Sequence, residues 1–341
     1  MLLSAFGTAG YEVTKKWLLK KEIGLSDFGF LIVSQTVTVI LLIFASILMA
    51  LHGMLFRSAN TLSFYGWLGG SVALNLGILI LRTRASRFGE ASFVAPVQSF
   101  TPGLLLIPAF FLEEQVSWQG KFGIMAIMGG NFWHIRAGEP WKGWWKIFVL
   151  PLPRKIPWLG WKLPISESQD EGVLNKIRAL RSGYGSAILG GGGIICDALM
   201  ARSGDVIIGL IYKWLSLTII FALIHLLYSG RKVIREEYLG VRAKLKANKY
   251  SLGIIFLCGG SIVIAAVPSM LAYLLAPIAY VGSVNRLSVI FAVILSWIFL
   301  HEEKAKVRLG PAFIVTVGAM LITSDGFMGR LLDTIEIVIG N

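Results

Sequence analysis

The chain has 341 residues, of which 55% are hydrophobic and only 15% charged, and its mean hydropathy is +0.72. A soluble domain carries about a quarter charged residues, so this composition excludes a soluble globular protein and indicates a polytopic membrane protein. The net charge of +13 lies in loops between apolar stretches, so we expect membrane lipids, and no nucleic acid, as partners. Four histidines without metal-ligand spacing and two cysteines within apolar stretches predict neither a metal site nor a cofactor.

Ten apolar windows, each bounded by charged residues, glycine or proline, predict membrane-spanning helices. The first window is short and carries Glu12, Lys15 and Lys16, so it is the least typical of a span. The end of the chain has apolar residues at helical spacing and predicts an amphipathic tail at the membrane interface. The ten windows are approximately residues 2–19, 28–53, 62–82, 90–112, 118–136, 184–202, 205–228, 251–274, 277–300 and 308–324.

The two halves of the chain carry the same markers in the same order. The stretch "FGTAGYEVTKK" aligns with "GGGGIICDALMA", which places Glu12 on Asp197, and "WLGGSVAL" aligns with "LCGGSIVI". Five spans in each unit require the second copy to enter the membrane in the opposite direction. The sequence therefore predicts an all-α membrane protein of ten transmembrane helices, arranged as two inverted five-helix repeats. The predicted domains are a first repeat (1–136), a Trp- and Pro-rich interfacial linker (137–183), a second repeat (184–324) and the amphipathic tail (325–341).

A longer motif occurs once in each half, as "SFTPGLLLIPAFFLEEQVSWQGKFGIMAIMGG" and "NRLSVIFAVILSWIFLHEEKAKVRLGPAFIVTVGAML". In both copies an apolar span ends in glutamate, a glycine follows about seven residues on, and a Gly-rich span comes next. This duplicated motif resembles the EamA-like domain of the drug/metabolite transporter superfamily. The resemblance implies ten helices around a central cavity that opens alternately to each side, but it implies no particular substrate. Lys and Arg concentrate in the odd-numbered loops, which predicts both termini outside, whereas ten-span members of the superfamily usually have both termini inside.

Three ionisable residues lie in the middle of predicted spans, where a charge costs about 2.5–3.5 kcal/mol on insertion scales. Asp197 and Lys213 lie at similar depths on either side of the same turn, so their side chains could meet. They would either form a buried ion pair that holds two spans together or bind substrate or a coupling proton. Arg286 has no carboxylate within one helical turn, so it would either bind an anion in the cavity or pair with Glu12 or Asp197.

Glu12 and Lys16 are spaced i, i+4 and could satisfy each other on one helix face. As the repeat-mate of Asp197, however, Glu12 is also a candidate proton or cation site. Mid-span amides and hydroxyls are weaker candidates, because such groups more often hold helices together than touch a ligand. The candidates of this kind are Asn75, Gln98, Tyr273 and Asn285, followed by Asn131 and His134.

The glutamate pairs at the span ends are candidate gate residues. Glu113 and Glu114 match Glu302 and Glu303 in the second half. They would either be hydrated helix ends at headgroup level or form a gate with nearby cations such as Lys304, Lys306 and Arg308.

The function that these features favour is secondary transport of an organic metabolite by alternating access in the cell membrane. No nucleotide-binding motif is present, so a proton, an ion or substrate exchange would provide the driving force. The alternative is a flippase for a lipid-linked sugar or another amphiphilic lipid, which the Trp-rich linker favours. We do not expect an enzyme, because "DALMAR" lacks the glycine and the further aspartates of the phosphotransferase motif that it faintly resembles. A homodimer is left open.

Overall fold

A computed structural model of the chain describes residues 1–19, 25–51, 61–98, 101, 117–136, 155–156, 161–162, 171–247, 249–276, 278–322 and 324. Eleven helices account for nearly all of them: α1 (Leu2–Leu19), α2 (Asp27–Leu51), α3 (Leu62–Phe88), α4 (Ala91–Gln98), α5 (Trp118–Arg136), α6 (Glu171–Ser203), α7 (Val206–Ala247), α8 (Lys249–Tyr273), α9 (Ile278–Val284), α10 (Ser288–Leu300) and α11 (309–322). Within the linker, the strands β1 (Lys155–Ile156) and β2 (Trp161–Lys162) form a short antiparallel pair.

Among these residues, seven helical stretches are long and apolar enough to cross a membrane. Five of them lie in α2, α3, α6, α7 and α8. The sixth, Tyr280–Leu300, includes α10 and most of α9, and the seventh, Ala305–Ile322, includes α11. The prediction of an all-helical protein with multiple potential membrane spans is thereby confirmed. Helix α1, which carries the three charged residues Glu12, Lys15 and Lys16, is not one of the seven.

Two helices are much longer than the sequence predicted. The structure shows one continuous helix of 33 residues in α6, which begins at Glu171, whereas the predicted span begins at residue 184. Helix α7 has 42 residues, about 63 Å at 1.5 Å per residue, and continues far beyond the apolar stretch that ends at Ser229. The Glu237 carboxylate in this extension accepts hydrogen bonds from the Ser26 backbone N–H at 2.8 Å and its hydroxyl at 3.0 Å, which ties α7 to the start of α2.

The ninth predicted span is interrupted. A 3₁₀ turn at Asn285–Leu287 separates α9 from α10, where the sequence predicted one uninterrupted helix over 277–300. A 3₁₀ turn inside a long helix often marks a hinge, because it leaves the i→i−4 ladder locally unformed. A second 3₁₀ segment, Glu303–Arg308, leads into α11.

Helices from the two halves of the sequence pack against each other. Helix α1 lies against α8 and α10, α3 against α6, α2 against α7, and α4 against α6 and α10. The α1–α8 contact is close enough that a Cβ at Gly7 would lie 2.6 Å from the backbone nitrogen of Ala265. At the α3–α6 contact, a Cβ at Gly193 would lie 2.8 Å from Ile78. The absence of a side chain at Gly7 and Gly193 therefore allows close helix contacts.

Helices α5 and α11 run antiparallel along their contact. A Cβ at Gly123 would lie 2.7 Å from the carbonyl oxygen of Gly318, and one at Gly130 would lie 3.0 Å from the backbone nitrogen of Val315. The partner number falls as the α5 number rises, which defines opposite chain directions. The same relation holds for α1 and α8, because Gly7 faces Ala265 whereas Gly10 faces Ser261.

The close α1–α8 contact gives a stability test. We expect Gly7→Ala to lower the free energy of unfolding by about 1–3 kcal/mol, because the new methyl group meets backbone atoms that cannot rotate away. Gly253→Ala on α8 is the matched control, since no atom lies within 4 Å of its Cβ position and alanine favours helix by about 1 kcal/mol. Thermal unfolding in detergent gives both midpoints. Equal midpoints for the two variants would contradict the close contact.

Candidate functional site

A cavity of about 200 Å³ lies inside the helical bundle, between helices of both halves. Its wall contains charged, amide and hydroxyl groups as well as aliphatic side chains, so it is a mixed polar and apolar chamber. The lining residues that carry polar side chains are Thr8 and Tyr11 on α1, Asn75 and Arg82 on α3, Ser186 and Asp197 on α6, Lys213 and Trp214 on α7, Ser269 and Tyr273 on α8, Asn285 and Arg286 in the 3₁₀ turn, and Thr101, which lies outside these elements.

Asp197 and Lys213 form an ion pair at the cavity wall. The Lys213 ammonium group donates to both carboxylate oxygens of Asp197, at 2.8 and 2.7 Å, and both side chains are largely buried. The predicted meeting of these two residues across the α6–α7 turn is confirmed. Ser71 also donates its hydroxyl to Asp197, and Asn75 donates to the Ser71 carbonyl oxygen at 2.9 Å. The carboxylate therefore connects α3, α6 and α7.

Glu12 has different partners from the one that its spacing suggested. Its carboxylate forms ion pairs with Lys15 at 2.5 Å and with Arg82 at 3.1 Å, and Glu12 and Lys15 are almost completely buried. Lys16 instead donates to the carbonyl oxygens of Ser86 and Gly89, at 2.7 and 2.5 Å. The predicted Glu12–Lys16 pair is wrong, because α3 passes close to α1 and brings a cation from another helix.

Arg82 is a site residue that the sequence did not indicate. The third predicted span ends at Arg82, whereas α3 continues to Phe88 and Arg82 lies against the cavity. A carboxylate such as Glu12 in an apolar helix needs cations nearby, and this need could have drawn attention to Arg82. The hydroxyl residues Ser4, Ser71 and Ser269 were missed as well, since small polar side chains in apolar helices carry little signal on their own.

Arg286 lines the cavity without a carboxylate partner. Within the part of the chain that the structure describes, its guanidinium group forms no ion pair, and its buried Nε has no hydrogen-bond acceptor. The alternative in which Arg286 pairs with Glu12 or Asp197 is wrong, because both carboxylates bind other cations.

A hydroxyl and amide network holds the 3₁₀ turn in place beside the cavity. The Ser4 hydroxyl lies 3.0 Å from Asn285 Oδ1 and 2.7 Å from the Ala265 carbonyl oxygen, and it also contacts the Ser269 hydroxyl at 2.5 Å. Asn285 Nδ2 donates to Ser269 at 3.4 Å. The network joins α1, α8 and the turn, so the position of Arg286 depends on three elements.

The remaining predicted site residues divide into two groups. Asn75 and Tyr273 line the cavity, and Tyr273 is almost fully buried. Gln98 is the last residue of α4, and its side chain lies outside the described part of the chain, as do Glu113 and Glu114.

Glu302 lies at the end of the bundle where α4 begins. Its carboxylate accepts hydrogen bonds from the backbone N–H groups of Ala91 and Ser92, at 2.9 and 3.1 Å, so it caps the N-terminus of α4. Arg308, which we had considered as its partner, forms an ion pair with Glu90 at 2.8 Å and donates to Ser92. These contacts fasten the start of α4 to the segment between α10 and α11. For Glu303 the structure describes the backbone alone, as the first residue of its 3₁₀ segment.

Removal of one partner of the Asp197–Lys213 pair tests its energetic role. We expect Asp197→Asn to destabilise the protein by about 3–5 kcal/mol, because it leaves the Lys213 charge buried without compensation. The double variant Asp197→Asn/Lys213→Gln should recover part of that loss. Asp27→Asn is the control, since the Asp27–Arg87 pair is partly exposed and is worth about 1 kcal/mol or less. Chemical unfolding in detergent measures all three, and a double variant less stable than the single one would contradict the pairing.

Comparisons with known proteins bear on the fold alone. No family model matches the chain, and no curated protein sequence matches it either. Twenty-four solved chains match in structure. One of them, described as "Crystal structure of protein", aligns over 95% of this chain and 98% of its own length, with a TM-score of 0.54 and 13% sequence identity. The two proteins share a fold over nearly their whole length, and that likeness carries no information about activity.

Proposed function

We propose that this protein is a secondary transporter of the cell membrane that moves a small organic metabolite by alternating access between two inverted repeats. The observation that carries the proposal is the cavity within the apolar bundle, with Arg82, Asp197, Lys213 and Arg286 at its wall. Charges in such an environment are costly, and they typically mark substrate or ion pathways. A cavity between two sets of helices is also the usual place of a transporter's binding site.

The pattern of helix contacts supports the repeat. If α1 to α5 exchange with the five spans that begin with α6, then the α1–α8 contact becomes the α3–α6 contact, and both are observed. The contact of α1 with α10 becomes that of α6 with α4, which is also observed. The α2–α7 and α4–α10 contacts map onto themselves. This exchange is what a two-fold relation between residues 1–136 and 184–324 requires.

The direction of the helices supports inversion. Helices α5 and α11 occupy equivalent positions in the two proposed repeats, and they pack antiparallel through Gly123 and Gly318. Two equivalent helices related by an axis along the membrane normal would run parallel. An axis in the membrane plane makes them antiparallel, which is the arrangement of inverted-repeat transporters. The duplicated glutamate motif, which resembles the EamA-like domain, fits the same interpretation.

Two features of the structure are suited to the helix movements that alternating access requires. The 3₁₀ turn at Asn285–Leu287 places a change in helical winding at the cavity wall, where a small rotation would reorient Arg286. At one end of the bundle, Glu302 and Arg308 hold the first turn of α4. Release of these charge-assisted contacts would free α4 from the α10–α11 segment, so they are candidates for the gate at that end.

Transport itself is tested in proteoliposomes. We expect the purified protein to accelerate uptake or exchange of at least one labelled metabolite from a broad panel, and we expect Asp197→Asn to reduce that rate by at least tenfold because it alters the charge of the cavity. Empty liposomes and the Asp27→Asn variant are the controls. If the protein moved a fluorescent lipid-linked sugar between leaflets but no soluble metabolite, the flippase alternative would replace this proposal.

Access from both sides is tested by thiol labelling. In a background in which Cys196 and Cys258 are replaced by alanine, we expect Ser269→Cys to react with a membrane-impermeant maleimide added to either face, since Ser269 lines the cavity. Ser46→Cys is the matched control, because Ser46 lies on the exposed surface of α2, where only lipid would be in contact with it. Reaction of Ser269→Cys from one face only, under all conditions, would contradict alternating access.

A further inference from the structure

We propose that the cavity binds a small organic anion through a carboxylate or phosphate group, with Arg286 as the main charged contact. This inference deepens the proposed function, because it names the class of solute, but the binding site itself does not depend on transport. It rests on the balance of charge around the cavity, the free guanidinium group and the cavity size.

The charges at and directly behind the cavity wall do not cancel. Glu12 lies between two cations, Lys15 and Arg82, and Asp197 is balanced by Lys213 alone. Arg286 adds a further cation that no described carboxylate approaches. Among the described residues, Arg286 is thus an excess positive charge that no carboxylate compensates. In an apolar bundle such an excess is strongly unfavourable unless an anion compensates it.

The Arg286 guanidinium has the geometry that an anion requires. It is permanently charged, and its planar set of N–H donors matches two oxygens of a carboxylate or phosphate at once. Asn285 next to it and Ser269, which lies within hydrogen-bond distance of Asn285, line the cavity and offer an amide and a hydroxyl for the rest of a ligand. A cation would instead need a free carboxylate, and both Glu12 and Asp197 are occupied by internal ion pairs.

The size of the cavity restricts the ligand. A volume of about 200 Å³ is below the ~300–1,000 Å³ of pockets for drug-sized molecules. The cavity therefore favours a small dicarboxylate or a phosphate ester of a short polyol over a nucleotide or a complete lipid-linked sugar. The same phosphate group occurs in lipid headgroups, but the size favours a free, soluble anion.

Binding is tested with ligands that differ mainly in charge. The detergent-solubilised wild-type protein is titrated with succinate, succinamide and 1,4-diaminobutane, and separately with glycerol 3-phosphate and glycerol, and thermal stability and tryptophan fluorescence are followed. We expect the two dianions to raise the unfolding temperature, and the neutral and cationic analogues to have no such effect. Nanodiscs that contain phosphatidic acid, compared with phosphatidylcholine nanodiscs, test the lipid headgroup as the source of phosphate.

Three variants connect binding to Arg286. We expect Arg286→Gln to weaken dianion binding by at least tenfold, and Arg286→Lys to weaken it less, because lysine keeps the charge but loses the paired donors. Arg87→Gln, which removes a cation outside the cavity, should bind as the wild type does. If the unliganded variants unfold at the wild-type temperature, a loss of binding is not a loss of folding.

The outcomes separate this inference from the proposed function. Stabilisation by diaminobutane or succinamide equal to that by succinate, or wild-type affinity in Arg286→Gln, would overturn the anion site even if transport of a neutral or cationic metabolite were found. Binding of dianions without any uptake in proteoliposomes would overturn the transport proposal and leave the anion site standing. A response to phosphatidic acid but to neither soluble dianion would overturn the assignment to a soluble ligand.

Discussion

The cost of burying charge inside an apolar helical bundle is the constraint on which this structure depends. Each unpaired charge in the middle of a span costs about 2.5–3.5 kcal/mol on insertion scales. Asp197 meets this constraint with Lys213 and the Ser71 hydroxyl, and Glu12 meets it with Lys15 and Arg82. Each carboxylate thereby joins elements that are distant in sequence, so the ion pairs determine which helices are neighbours as well as how charge is neutralised.

Close helix contacts make these pairings geometrically accessible. The Glu12–Arg82 bond requires α1 and α3 to lie within reach of one arginine side chain. Gly7 on α1 allows α8 to approach at backbone distance, and Gly193 on α6 leaves room for the Ile78 side chain of α3. Small residues that bring helices together also bring their few polar groups together. Packing and electrostatics are consequently coupled, because a bulky residue at Gly7 would move α8 and with it the Ser4–Ser269 contact that positions Asn285.

Local features of this fold could be predicted from the sequence, and contacts between distant segments could not. Apolar periodicity predicted the helices, and spacing across one turn predicted the Asp197–Lys213 pair, since both depend on neighbours in sequence. Arg82 was missed because hydropathy ended its helix six residues early, at the first cluster of arginines. The extension of α7 was missed for the same reason, because polar helical turns look like loops when apolar character defines a span.

The contacts of Glu302 show why long-range interactions cannot be predicted from a single sequence. Its adjacent cations, Lys304 and Lys306, suggested local pairing, whereas the N-terminus of α4 lies more than two hundred residues away. Unsatisfied backbone N–H groups attract a carboxylate as effectively as a lysine does, but they have no signature of their own in a sequence. Arg308 likewise forms an ion pair with Glu90, which lies 218 residues away in the sequence. Proximity in the fold, and not proximity in the chain, decides which charge is compensated.

The excess positive charge at the cavity also affects how the proposed transporter would cycle. An open cavity holds water, which screens Arg286 at little cost, but occlusion removes water and leaves its charge in a low-dielectric environment. A bound anion supplies compensation at that moment, because its own charge stays in the cavity when the water leaves. Occlusion is therefore more favourable with ligand than without it, since a ligand shifts a conformational equilibrium by its differential affinity for the two states. In the proposed transporter, the transition between the two faces would therefore proceed mainly when the cavity is loaded, which is the condition for exchange of one anion for another.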